Sequence, residues 1–176
     1  MLGAPDTYPS TGGTVHRDDL SLSRPGEQHG GMGFDVERLL RLWTDVPADD
    51  AAAEAAFRAV YTDPVTINGT PLHASDLVAR ARGLGAVFED LRRDVLDVVD
   101  TEGKVAVAFR LRGRHVGTLA TAAGPVAATG RSIEIRVIDL LTITDGRISD
   151  IWMVADELGA LVAVDAVSLR APAPGR

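Results

Sequence analysis

Three stretches in the second half of the chain decide the fold: residues 104–115 read KVAVAFRLRGRH, residues 131–141 read RSIEIRVIDLL, and residues 151–156 read IWMVAD. In each stretch apolar residues alternate with polar or small ones, a period of two that is typical of a β-strand with one buried face. Together with their neighbours, these patterns predict strands over 93–101, 104–118, 129–143 and 147–156.

The first half of the chain has a helical pattern instead. Apolar residues at helical spacing predict helices over 35–45, 51–57 and about 74–90, then a short strand at 65–68 and a closing helix over 157–167. Tight turns at Glu102-Gly103 and Asp145-Gly146 join the later strands. Helices first and a meander of strands afterwards predict an α+β fold, with about three helices on one side of an antiparallel sheet.

Composition limits the function. The 176 residues fit one domain, and a net charge of -7 opposes general nucleic-acid binding or docking to an acidic membrane. The chain has no cysteine, which excludes disulfides, thiolate nucleophiles and cysteine-bound metals. Neither a signal peptide nor an apolar membrane span is visible, so we expect a cytoplasmic protein. We predict flexible tails at 1–33 and 169–176 around a domain at 34–168.

Polar groups interrupt the apolar faces of the three deciding stretches. His115 ends the apolar face of one strand, Asp139 stands between Val137 and Leu141 in the next, and Asp156 follows Trp152 and Val154. A carboxylate on a buried face is costly unless it is paired or hydrated. The recurrence predicts a pocket with a polar floor, and makes His115, Asp139 and Asp156 the catalytic candidates.

Each catalytic candidate also has a plainer interpretation. Asp156 is either a general base in an apolar wall or the N-cap of the closing helix. His115 either binds a substrate carbonyl or is a core histidine bonded to the backbone. Asp139 orients His115, pairs with Arg136 or Arg114, or lines the pocket.

Aromatic residues and one asparagine form a second set of candidates. They predict a slot for a planar ligand, with Asn68 as a polar member, although aromatic residues more often belong to the core. The set is Trp43, Phe57, Tyr61, Asn68, Phe88 and Trp152. No His, Asp and Glu residues have convincing metal-ligand spacing, so we expect no metal.

A family resemblance rests on short elements in order. They are Phe88-Glu89-Asp90-Leu91, Gly113-Arg114-His115-Val116-Gly117, Thr129-Gly130-Arg131, Ile138-Asp139-Leu140, Asp145-Gly146-Arg147-Ile148, Trp152 and Asp156. Over about 36–165 the chain resembles the SnoaL-like polyketide cyclases of the NTF2-like superfamily. The family often has two prolines where this chain has Ala127-Ala128, which affects the pocket rim and the substrate fit.

The resemblance implies a cone built on a curved sheet, and a ring closure by intramolecular aldol condensation of a polyketide ester. That chemistry uses an acidic residue and no cofactor. The resemblance implies Asp156 as the carboxylate and His115 as the pocket histidine.

Three functions stay open. The first is a cyclase or isomerase acting on a hydrophobic carbonyl compound. The second is a cofactor-free epoxide hydrolase, with a water held by Tyr61, Asn68 and a carboxylate. That chemistry needs an Arg and an Asp two residues apart, whereas Arg136 and Asp139 are three apart. The third is a non-catalytic binding or assembly module.

A homodimer is also expected. It would form through the convex face of the sheet, which carries Ala106, Ala108, Ile138 and Leu140. The resemblance supports this expectation, because dimers are common for this fold.

Overall fold

The computed structural model describes residues 33–121 and 124–168, in one unit that begins at Gly33. Its helices are α1 (Val36–Leu42), α2 (Asp50–Arg58), α3 (Ala74–Val87) and α4 (Glu157–Ala163). Its strands are β1 (Tyr61–Ile67), β2 (Thr70–Leu72), β3 (Phe88–Thr101), β4 (Lys104–His115), β5 (Leu119–Thr121), β6 (Gly124–Val126), β7 (Ser132–Thr144) and β8 (Arg147–Ala155). The tails predicted at 1–33 and 169–176 lie outside the described residues, apart from Gly33.

Six strands form one sheet in the order β2-β1-β8-β7-β4-β3, and β5 pairs with β6 in a separate hairpin. The pairs are antiparallel except β1 with β8, which is parallel. Register shifts between Glu89 and Arg92 and between Val95 and Asp97 mark bulges in β3, and bulges bend a sheet. The predicted α+β fold with a curved sheet is confirmed, and its one parallel pair joins strands from opposite ends of the unit.

The junction between α3 and β3 comes earlier than the sequence predicts. The helix pattern reaches Asp90, but α3 ends at Val87 and Phe88 is already extended. The carbonyl oxygen of Val87 accepts from the amides of Val116 and Gly117, so the chain after β4 fastens the end of the helix. A Cβ on Gly117 would lie 2.4 Å from the carbonyl oxygen of Ala86, so only glycine allows this approach.

The core lies between the concave face of the sheet and the helices. Buried residues alternate along β4 and β7, and others come from the helices; they include Val105, Val107, Phe109, Leu111, Ile133, Ile135, Val137, Leu141, Leu39, Leu40, Phe57 and Leu77. Cross-strand ion pairs lie on the other face, between Arg112 and Asp94 and between Arg114 and Glu89. These exposed pairs contribute little to stability.

Candidate active site

The central carboxylate of the concave face is Asp139. In the sheet register it stands beside Val107 of β4 and Met153 of β8, and Val107 in turn stands beside Val98 of β3. Directly paired residues point to the same face, so these four side chains form one row. Val98 is 39% exposed and Met153 is 42% exposed. The helices therefore leave the two ends of this row open, while the row itself is apolar except for Asp139.

Asp139 is half-buried, and one of its carboxylate oxygens has no hydrogen-bond partner among the described residues. Its Oδ1 is shielded from solvent, and no group among the described residues donates to it. Burial raises the pKa of Asp139 from 3.8 to about 6, and the positive charge of Arg93 partly opposes that rise. A carboxyl group with its pKa near neutrality in an apolar surrounding is suited to general acid/base catalysis.

Arg93 is the cation of the site. It lies in β3 opposite Leu111, so its side chain starts from the concave face. Its guanidinium lies 5.8 Å from the centre of the Trp43 ring, and its Nη1 donates to the carbonyl oxygen of Leu40 over 3.4 Å. Burial lowers the pKa of Arg93 to about 10, and electrostatic interactions with Tyr61 and Asp139 act in the opposite direction.

Three aromatic residues, Tyr61, Trp43 and Phe57, form the side of the site that faces α1 and α2. The Oη of the buried Tyr61 accepts a 2.7 Å hydrogen bond from Nε1 of Trp43. Phe57 stacks on Tyr61 at 5.9 Å and meets Trp43 edge-on at 5.5 Å. Burial raises the pKa of Tyr61, so its hydroxyl keeps its proton, and no acceptor for that proton lies among the described residues.

His115 does not join this group. It is fully buried, its Nδ1 contacts Oγ1 of Thr129 at 3.2 Å, and its Nε2 has no hydrogen-bond partner in the described part of the chain. It pairs with Phe88, whose ring lies 5.9 Å away. On β4 it stands eight residues beyond Val107, about 26 Å along an extended strand. The idea that Asp139 orients His115 is therefore wrong, and Phe88 belongs with His115.

Asp156 has the plainer of its two predicted roles. Its Oδ1 accepts from the amide of Gly159 at 2.9 Å, so it is the N-cap of α4. Trp152 and Val154 are 59% and 72% exposed and point away from the core. The prediction that they form an apolar wall around Asp156 is wrong, because they lie on the convex face and Asp156 follows the end of β8.

Asn68 is also separate from the site. It occupies the turn after β1 with a φ of 48°. Its Oδ1 accepts from the amide of Met153 at 2.8 Å, and its Nδ2 donates to the carbonyl of Met153 at 3.1 Å. Because both ends of the amide join β8, they are not available to hold the water that the epoxide-hydrolase arrangement needs.

Sequence reasoning missed Arg93 and Met153. The run Arg92-Arg93-Asp94 gives no reason to place one arginine inside rather than the other, and two bulges change the alternation of β3. No sequence signal points to Met153 either. The register set by the Asp145-Gly146 turn would place Trp152 opposite Asp139, and a register shift between Thr142 and Ile143 brings Met153 there instead.

Metal and membrane features were sought in residues 33–121 and 124–168. There, no three His, Asp or Glu side chains come together as a metal site. Within the same ranges, no helix has the length and hydropathy that a bilayer crossing requires.

Solved structures share this fold. TsrD from Streptomyces laurentii superposes with a TM-score of 0.62 at 20% identity, covering 75% of this chain and 92% of TsrD. A candidate SnoaL-like polyketide cyclase from Jannaschia sp. CCS1 gives 0.60 at 21% identity, covering 81% and 100% of the two chains. AclR, a candidate hydroxylase from Streptomyces galilaeus, gives 0.59 at 19% identity, covering 76% and 94%.

The sequence itself gives the family. No curated protein matches it significantly. The model of the SnoaL-like polyketide cyclases, however, matches residues 36–164, which agrees with the range predicted from the short elements. Since this match covers most of the chain, the protein belongs to the SnoaL-like polyketide cyclase family.

Proposed function

We propose that this protein is a cofactor-free acid/base catalyst acting on a hydrophobic carbonyl compound, with Asp139 as its general base. One observation carries the proposal: an unpartnered carboxylate oxygen stands in an apolar row on a concave face that is open at both ends. A carboxylate oxygen without a structural partner has no hydrogen bond to lose when it bonds a ligand. Asp156 is not the proposed base, because its carboxylate caps α4.

The site supports the carbon–carbon bond formation of an intramolecular aldol reaction in three steps. Asp139 removes a proton from the carbon next to a carbonyl, leaving an enolate. The hydroxyl of Tyr61 or the guanidinium of Arg93 stabilises the negative oxygen. The enolate carbon then bonds to a second carbonyl of the same molecule, and the protonated Asp139 returns its proton to the new alkoxide.

Asp139→Asn tests this mechanism through its first step. The probe is 2-acetonaphthone in D₂O, and proton NMR follows the loss of the methyl signal by exchange. We expect wild-type protein to accelerate exchange and Asp139→Asn to lose at least about 100-fold of that acceleration, because a positioned base contributes this much or more.

Asp156→Asn is the matched control. It keeps a residue type that caps helices well, so it should fold and exchange like wild type. Equal exchange by wild type and a folded Asp139→Asn would contradict the assignment of the base. If wild type gives no acceleration on a series of aryl methyl ketones, the non-catalytic binding module becomes the better explanation.

The convex face supports a homodimer as the assembled form. Apolar side chains lie in two adjoining rows, and the larger ones are exposed. The first row crosses β3, β4, β7 and β8 with Val99, Ala106, Leu140 and Trp152. The second row has Asp97 in β3, followed by Ala108, Ile138 and Val154. Charged residues occupy the same face of β4 and β7 beyond these rows. Exposed apolar groups in such number mark a contact surface, and a second copy of this chain is its proposed occupant.

A further inference from the structure

The side chain of Arg93 has unused hydrogen-bonding capacity. A guanidinium carries five N–H donors, and the described residues give Arg93 one acceptor, the carbonyl oxygen of Leu40 at 3.4 Å. No ion pair joins Arg93 to any carboxylate in the described ranges, whereas Arg112 and Arg114 of the neighbouring strand are both paired. Arg93 is thus a half-buried cation without a bonded anion.

Asp139 does not supply the missing anion. Asp139 and Arg93 influence each other electrostatically, yet they form neither a hydrogen bond nor an ion pair, and Oδ1 of Asp139 is itself without a partner. A partly desolvated charge is costly unless it is compensated. The site therefore holds, on one apolar face, a cation that no anion of the described residues bonds and a carboxylate oxygen that receives no hydrogen bond from them.

Arg93 is held in place for a ligand. Its guanidinium lies over the face of Trp43, and Trp43 is in turn fixed by its hydrogen bond to Tyr61. Guanidinium groups bind carboxylates through two parallel hydrogen bonds, which a neutral ester cannot match in strength. A planar apolar body attached to such a carboxylate has Trp43 beside it.

We propose that Arg93 binds a carboxylate of the ligand, so that the substrates are hydrophobic carboxylic acids rather than the esters that the family resemblance implies. The inference rests on the proposed function, because it assigns the substrate class of the same site. Arg93 determines specificity, and Asp139 performs the proton transfer.

Binding of three matched probes tests this inference: 2-naphthoate, methyl 2-naphthoate and 2-naphthamide, each measured by calorimetric titration. We expect wild-type protein to bind the acid at least ten times more tightly than the ester or the amide. Arg93→Gln should remove this preference and leave binding of the ester unchanged. Arg93→Lys should retain part of it, since it keeps the charge but loses the paired donors.

Arg92→Gln is the matched control. Arg92 is the exposed neighbour of Arg93 on the same strand, so its loss should not change any of the three affinities. Equal binding of acid and ester by wild type would overturn the inference, and so would an acid preference that survives in Arg93→Gln or an absence of naphthoate binding at millimolar concentration. The wild-type comparison decides the matter even if Arg93→Gln does not fold.

Asp139→Asn separates this inference from the proposed function. Removing the negative charge beside the ligand should strengthen binding of 2-naphthoate several-fold, while proton exchange is lost. If Asp139→Asn retains full exchange but Arg93→Gln loses the acid preference, the assignment of the base fails and the carboxylate site stands. The reverse pattern leaves the base in place and removes the carboxylate site.

Discussion

At the scale of single residues, the site depends on groups that the fold leaves without partners. Several polar side chains have structural roles: Asp156 caps α4, Asn68 joins β1 to β8, and Asp63 bonds Arg58 and His73. In contrast, Oδ1 of Asp139 has no hydrogen-bond partner among the described residues, and Arg93 has no bonded anion there. Groups whose burial is uncompensated lower the stability of the fold, and such losses are tolerated where a ligand uses the group.

Asp139→Asn should therefore stabilise the protein above pH 6. The pKa of Asp139 is about 6 in the folded state and 3.8 ordinarily, so folding favours the protonated form. The stability that this proton contributes is fully present below about pH 3.8, and it is lost as pH rises through 6. At pH 8 we expect the free energy of unfolding of Asp139→Asn to exceed that of wild type by about 1 to 3 kcal/mol.

Urea denaturation followed by circular dichroism measures this difference. The advantage of Asp139→Asn should shrink as pH falls from 8 and vanish near pH 4, since both proteins are then neutral at this position. The matched variant Asp94→Asn removes a carboxylate that is paired with Arg112 on the convex face, so it should show no such gain. A variant less stable than wild type at pH 8 would show that Asp139 is satisfied in solution.

At the scale of elements, the sequence predicts strands better than it predicts boundaries. The alternation in β4 and β7 correctly separates buried from exposed residues, because both strands are central and regular. It does not do so for Arg93, because the bulges of β3 depend on pairing with β4. The helix pattern also runs past Val87, since local apolar spacing carries no information about the amides of Val116 and Gly117 that end α3.

Two glycine substitutions test the junction of α3 with β3. Gly117→Ala places a methyl group 2.4 Å from the carbonyl oxygen of Ala86, so we expect a loss of about 1 to 3 kcal/mol in the free energy of unfolding. Gly85→Ala, inside α3 with open space around it, should gain about 0.5 to 1 kcal/mol. Both values come from urea denaturation, and a neutral Gly117→Ala would mean that the junction adjusts freely.

At the scale of the whole unit, fold and site differ in how far the sequence predicts them. The order of helices and strands follows from patterns along the chain, and the family elements add to it. The group of Asp139, Arg93, Tyr61 and Trp43 comes from β7, β3, β1 and the end of α1, so only the folded arrangement brings it together. His115 and Asp156 looked equivalent to Asp139 in sequence, because alternation gives a face but not a position along it.

The last prediction concerns the convex face, where Trp152 is the largest exposed apolar side chain of the proposed homodimer surface. Trp152→Glu places a charge beside Leu140 in the apolar row, and a buried unpaired charge is strongly unfavourable. Sedimentation velocity should show a dimer for wild type and a folded monomer for the variant. Val116→Glu, at an exposed apolar position beyond the end of β4, should remain a dimer. A monomeric wild type at micromolar concentration would contradict the assembly, and it would leave the rows of Trp152 and Val154 without their proposed partner.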